Sequence, residues 1–148
     1  MRIGLASDHR GYKLKNQLID YLNEEGLEIE DCGTFNEEST DYPDYAFKLG
    51  GLVANKDVDF GVAICATGIG ISIACNKVKG VRCAKVDSIE DVIATRNDND
   101  ANIVAIGEKM DIKKAKKIVN KFINTPPSTE KKHVRRRNKI KSYEGNND

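Results

Sequence analysis

Asp59-Phe60-Gly61-Val62-Ala63-Ile64-Cys65-Ala66-Thr67-Gly68-Ile69-Gly70-Ile71-Ser72-Ile73-Ala74-Cys75-Asn76-Lys77 reads as three pieces in a row. Phe60 to Cys65 is a short, almost wholly apolar run, the pattern of a strand buried on both faces. Thr67-Gly68-Ile69-Gly70 is a turn whose glycines permit tight backbone angles. Gly70 to Lys77 then restarts as a short helix. A cysteine therefore closes the strand. Free N–H groups of the turn and the helix start can converge beside it, and such groups favour an anion. A thiol next to that nest suits moving a proton beside a developing negative oxygen.

Working outward, the same alternation recurs. Arg2 to Ser7 reads as a first strand, with Asp8-His9-Arg10-Gly11 as its loop. Tyr12 to Glu25 carries Leu14, Leu18, Ile19 and Leu22 at helical spacing, and Gly26 stops it. Leu27 to Asp31 is a second strand, Thr34 to Pro43 a polar loop, and Asp44 to Asn55 a helix. After the central stretch come a strand at Val81 to Val86, a helix at Ile89 to Arg96, a strand at Asn102 to Ile106 and a helix at Ile112 to Ile123. Pro126-Pro127 ends that element, and Ser128 or Thr129 can cap a last helix reaching about Ser142.

Five strands alternating with helices predict an α/β fold, a mostly parallel five-stranded sheet with helices on both faces. Ligands in such folds sit outside the carboxyl ends of the strands. Asp8-His9, Cys65 to Gly70, Asp87-Ser88 and the loop around Gly107 all fall there.

The chain has 148 residues and a formal net charge of +1, so it suits one domain and no global field draws it to nucleic acid or membrane. The N-terminal run reaches Asp8 too soon for a signal peptide, and no apolar run spans a bilayer. Cys32, Cys65, Cys75 and Cys83 form no C-x-x-C pair, which reads as reduced thiols in a cytoplasm. The two histidines lack metal-ligand spacing, so no metal is expected.

Cysteine is often just a small buried hydrophobe. The adjoining turn separates Cys65 from the other three, of which Cys75 falls inside a helix and Cys32 and Cys83 in strands. A helix start favours the thiolate, and hence a base or nucleophile. Gly68-x-Gly70 lacks the longer dinucleotide pattern and no Walker lysine follows. Asp8 and His9 can bind sugar hydroxyls or phosphate, or serve as a loop cap and a solvated imidazole. Arg96-Asn97-Asp98-Asn99-Asp100 by itself is a helix stop and turn. From Lys131 to Lys141 there are seven Lys or Arg and no acid. Such a run is usually a solvated helix face, although Lys132 and Arg136, four apart, can grip one phosphate together.

Taken together these residues resemble the ribose-5-phosphate isomerase type B family, which includes the galactose-6-phosphate and allose-6-phosphate isomerases. The resemblance covers nearly the whole chain. It rests on Ser7-Asp8-His9-x-Gly11, Asp31-x-Gly33-Thr34, Asp41-Tyr42-Pro43, Cys65-x-Thr67-Gly68-x-Gly70-Ile71-x-Ile73-Ala74-x-Asn76-Lys77, Gly80-x-Arg82, Arg96-x-x-Asn99-Asp100-x-Asn102 and the basic C-terminal helix. It implies a three-layer αβα Rossmann-like sandwich and a metal-free, cofactor-free aldose–ketose isomerase of phosphosugars. It also implies homodimers, or dimers of dimers, whose sites mix residues of two subunits.

By position, the resemblance makes Cys65 the base that moves the proton between C1 and C2. The backbone of Ala66, Gly68, Ile69 and Gly70 becomes the enediolate hole, and the Thr67 hydroxyl helps move protons near the thiol. Asp8, His9 and Asn99 become substrate contacts. Lys109, Lys132 and Arg136 fall on phosphate-binding arginines, with residues 128–148 docking on the partner subunit and residues 1–127 forming the isomerase core. Four positions depart from the family pattern. Asp98 stands where the family has its ring-opening histidine, Ala66 replaces a glycine, and Lys109 and Lys132 replace arginines.

The expectation is therefore a cytoplasmic sugar-phosphate isomerase, with ribose 5-phosphate and ribulose 5-phosphate the first pair. The alternatives are a hexose 6-phosphate or an acyclic tetrose phosphate as substrate, or a phosphosugar-binding regulator without catalysis. A nucleic-acid role for the tail ranks behind these.

Overall fold

The computed structural model describes residues 1–145; the end of the expected C-terminal segment, residues 146–148, lies outside the described residues. The elements are β1 (Arg2–Ser7), α1 (Tyr12–Glu24), β2 (Glu28–Asp31), α2 (Tyr42–Ala54), β3 (Phe60–Cys65), α3 (Ile69–Cys75), β4 (Cys83–Lys85), α4 (Ile89–Ala94), β5 (Ile103–Gly107), α5 (Ile112–Asn124) and α6 (Lys131–Glu144). The sheet runs β2-β1-β3-β5-β4, and every pairing is parallel. The α/β sandwich expected from the alternation is thus present, with a sheet wholly rather than mostly parallel.

Strand alternation decides which helices cover which face. Ile3, Leu5, Val62, Ile64, Val104 and Ile106 point to one side and pack with Leu14, Leu18 and Leu22 of α1, Val92 of α4 and Ile118 and Phe122 of α5. The intervening residues, Ile103 apart, are small. Ala6, Ala63 and Ala105 face Leu49 and Val53 of α2 and Ile71 and Cys75 of α3. A Cβ on Gly4 would lie 2.7 Å from Leu49 Cδ1. The bulky face therefore holds its helices off with large side chains, while the small face lets α2 lie close to the sheet.

Several boundaries differ from expectation. α2 begins at Tyr42 rather than Asp44, because Pro43 fits the first helical turn, where a missing N–H costs nothing. Cys32 lies just beyond β2, not within it. The helix expected to end at Arg96 stops at Ala94 and continues as a π-helical turn over Thr95–Asn99, closed by Asp100 with φ +48°. Arg96 holds that turn: it is buried, donates to Asp100 Oδ1, Ala101 O and Thr125 O, and lies over the Phe60 and Phe122 rings.

α6 is not capped by Ser128 or Thr129. Its N-cap is Glu130, and Ser128 Oγ instead accepts the Glu130 N–H just outside the helix. One side of α6 packs on its own chain. His133 is buried there, Arg137 donates to the carbonyls of Asn97, Asp98 and Ser128, and Glu144 accepts the Gly80 N–H. Lys132 and Arg136 stay exposed.

Candidate active site

The carboxyl edge of β1, β3 and β5 gathers most of the residues with chemistry. β1 delivers Asp8, whose Oδ1 accepts the N–H groups of Arg10 at 3.0 Å and Gly11 at 3.2 Å. The loop thereby folds back on the strand end before α1 begins. Gly11 is required for this approach, since a Cβ there would meet the Ile64 carbonyl oxygen at 2.8 Å. Asp8 and His9 are thus held directly beside the end of β3.

β3 ends in Cys65, which is 4% exposed. The Gly68 N–H donates to Cys65 Sγ at 3.2 Å. Gly68 has φ +80°, and a Cβ on it would lie 2.8 Å from the Ile106 carbonyl carbon. The turn therefore lies on the neighbouring strand in a conformation that favours glycine. Thr67 Oγ1 accepts the Ile69 N–H at 3.1 Å. Ala66, Thr67 and Ile69 are exposed, so the outer rim of the nest opens to solvent.

β5 brings the third part. Cys65 is in register with Gly107, and the Glu108 N–H donates to Cys65 O at 2.9 Å. Lys109 follows, exposed, on a cleft of about 430 Å³ that His9, Arg10, Lys13, Leu14, Glu37 and Glu108 also line. Arg10 and Glu108 form a two-bond pair at 2.9 and 2.7 Å. The Arg10 hydrogen bonds hold the Glu108 carboxyl below its ordinary value, and the same pair raises Arg10. Lys13 pairs with Glu37 at 3.7 Å. Lys109 makes no ion pair among the described residues.

Two thiols outside this edge are shifted. Burial pushes Cys32 up to about 11. Cys83 is raised by its hydrogen bond with Cys75 and by burial. All four cysteines are free, and no group of side chains with metal-binding geometry occurs among the described residues. No helix of the described residues is long and apolar enough to cross a membrane.

The remaining expected site residues do not join this cluster within one chain. Asp98 and Asn99 belong to the π turn that precedes β5, at the amino edge of the sheet. β5 spans the four steps from its Ile103 pairing with Gly61 to its Gly107 pairing with Cys65, roughly 13 Å. Asn99 Oδ1 accepts the Thr95 hydroxyl, and Asp98 Oδ1 accepts Asn97 Nδ2 at 2.7 Å. His133 Nε2 lies 3.5 Å from the same Asp98 oxygen. Lys132 and Arg136 emerge on α6 beside this turn. The residues thus fall into two sets, Asp8, His9, Cys65, Ala66, Thr67, Gly68, Ile69, Gly70 and Lys109 at one edge, and Asp98, Asn99, Lys132 and Arg136 at the other.

Sequence reasoning missed the Arg10–Glu108 pair and the His133 contact. Nothing local marks a pair 98 residues apart. For His133 the available signal was its place between Lys132 and Arg136 on one helix.

The chain is similar to proteins described as sugar-phosphate isomerases. The family model described as Ribose/Galactose Isomerase matches residues 3–140. "Putative sugar phosphate isomerase YwlF" of Bacillus subtilis is 40% identical, the match covering 99% of each chain. Ribose-5-phosphate isomerase B of Escherichia coli is 39% identical over 82% of this chain and 83% of its own. Among solved structures, ribose-5-phosphate isomerase B of Clostridium thermocellum superposes with a TM-score of 0.94 at 40% identity, covering 98% of both chains.

Proposed function

The chain belongs to the ribose/galactose isomerase family, and from that premise we propose that it interconverts ribose 5-phosphate and ribulose 5-phosphate with Cys65 as the base. The observation that carries this reading is the Gly68 N–H on Cys65 Sγ at 3.2 Å, at the edge where His9 and Lys109 also open and Asp8 holds the β1 loop. That N–H stabilises a thiolate. The thiolate takes the proton from C2 of the open-chain aldose, and an enediolate forms. The thiol returns the proton to C1, giving the ketose. C2 is oxidised as C1 is reduced, so the substrate needs no external redox partner.

The enediolate carries negative charge on oxygen beside the turn from Ala66 to Gly70, and main-chain N–H groups there are its stabilisers. A lost donor of this kind typically costs about 2.7–4 kcal/mol. Thr67, exposed beside the thiol, carries protons between the two oxygens. Asp8 and His9 hold the sugar hydroxyls, and Lys109 holds the phosphate. Because Asp98, Asn99, Lys132 and Arg136 lie at the opposite edge of their own chain, they serve the site of a second copy. Asp98 there opens the furanose ring by taking the anomeric hydroxyl proton as the ring C–O bond breaks and the departing ring oxygen takes a proton from water.

Asp98 in the place of a histidine favours one second reading, an acyclic four-carbon phosphosugar that has no ring to open. A coupled assay over four-, five- and six-carbon phosphosugars separates the two. Highest kcat/KM on ribose 5-phosphate supports the first reading. Highest kcat/KM on a tetrose phosphate supports the second, and turnover of none contradicts both.

A further inference from the structure

His9 does not hang free in the cleft. The Thr40 main-chain N–H donates to its Nδ1 at 3.2 Å. Thr40 is in turn tied through its hydroxyl to the Tyr45 hydroxyl at 3.0 Å, and Tyr45 belongs to α2. A main-chain N–H can only donate, so Nδ1 must carry its lone pair. In a neutral imidazole the proton then sits on Nε2. The imidazole is thus braced between the β1 loop, through its own backbone, and the start of α2, through Thr40.

We propose that Thr40 is a positioning residue that fixes His9 as the Nε2–H tautomer, so that an uncharged, directed donor meets a substrate oxygen in the cleft shared with Lys109. Tyr45 steadies Thr40 in this arrangement. The inference deepens the isomerase reading, on which it rests for the identity of the substrate but not for the state of the imidazole. His9 consequently serves neither as the proton-abstracting base nor as a phosphate-binding cation. The positive charge of this cleft is left to Lys109, because Arg10 is paired with Glu108 and Lys13 with Glu37. Glu108 from the loop after β5 and Glu37 from the loop before α2 line the cleft together with Arg10, Lys13 and Lys109, while Asp8 from the same loop is buried with its Oδ1 on the Arg10 and Gly11 N–H groups. An imidazolium there would have to give up the Thr40 bond, since a protonated Nδ1 cannot accept.

The chain contains two histidines, which makes the imidazole state directly readable. Two-bond proton–nitrogen spectra of the full-length protein labelled in histidine, with His9 assigned by its loss in His9→Gln, report the tautomer near neutral pH. The expected result is a bare Nδ1 and a protonated Nε2, shifting toward the other tautomer in Thr40→Pro, which removes the donor. An Nδ1–H tautomer or an imidazolium in the wild-type protein overturns the proposal, as does a folded Thr40→Pro with an unchanged spectrum. Kinetics give a second reading. A glutamine amide can reach the place of Nε2–H and an asparagine amide only that of Nδ1. His9→Gln should therefore keep KM within about tenfold of wild type, no more than the weight of one hydrogen bond, with His9→Asn raising it further. A lower KM in His9→Asn than in His9→Gln would overturn the proposal. A wild-type protein that turns over no phosphosugar defeats the isomerase reading alone, because the spectra still decide the tautomer.

Discussion

The amide of Gly68 points at the sulfur of Cys65 from 3.2 Å. That contact exists because residue 68 takes φ +80° directly against Ile106. Gly68→Ala would place a methyl group 2.8 Å from the Ile106 carbonyl carbon while forcing a non-glycine residue into the left-handed region. Together these should cost about 1–3 kcal/mol of stability. The larger effect should be on catalysis, since the turn must lift off β5 and take the Gly68 N–H with it. Thermal unfolding together with kcat on ribose 5-phosphate checks this; a variant with unchanged kcat would mean that the Gly68 contact has no part in the reaction.

Lys15 and Asp31 make a second prediction because their exposures are unequal. The Lys15 side chain is fully buried and its ammonium lies 2.7 Å from Asp31, which is 32% exposed. Asp31→Asn leaves the ammonium buried without a counter-charge, at a cost of about 3–5 kcal/mol. Lys15→Met leaves a carboxylate that still accepts the Gly33 N–H and reaches water. Chemical denaturation should find Asp31→Asn the less stable of the two. The reverse order would show that the pair does not control the fit of α1 against β2.

The Arg10–Glu108 pair predicts a pH dependence. The Arg10 hydrogen bonds hold Glu108 below its ordinary value of 4.5. A carboxyl depressed on folding contributes stability that is present above that ordinary value and is lost as pH falls through the lower folded one. The Tm of Glu108→Gln should lie slightly below wild type at neutral pH, and the two should converge on acidification below 4.5. The gap is small because Arg10 is half exposed and water screens the pair. A gap that widens toward acid would contradict the assignment.

The separation of Asp98 and Arg136 from Cys65 by the length of β5 predicts complementation. Neither Cys65→Ser nor Arg136→Ala alone should support turnover at low substrate. Mixed as dimers with free exchange, half would pair unlike chains and each of those would hold one intact site, giving about a quarter of wild-type activity. No recovery, with exchange confirmed by mass, would contradict a site shared between subunits.

Much of this arrangement was legible in the sequence. β1 and β3 have the expected ends because apolar runs bounded by Asp8 and by the Gly68 turn leave little choice. The carboxyl-edge cluster follows from the alternation alone, since parallel strands put their following loops on one side. The π turn at Thr95–Asn99 was not legible, because it depends on Arg96 reaching Thr125 and the two phenylalanine rings, contacts no local pattern encodes. The cap of α6 was misplaced for a related reason. Ser128 has the right chemistry, but its N–H is taken by Asn97 O and its carbonyl by Arg137, so the chain turns there before the helix starts. Arg10 and Glu108 meet only once β1 and β5 flank β3.

The most direct test of the account is the turnover of ribose 5-phosphate by Cys65→Ser. Serine nearly preserves the size of the side chain and can still accept the Gly68 N–H, but it is far too weak an acid to supply the base. The account predicts that kcat falls by at least about a hundredfold, the lower end of what a positioned base contributes, while KM stays close to wild type. A variant that retains kcat within about threefold of wild type, a barrier change of roughly 0.65 kcal/mol, would show that Cys65 does not carry the proton.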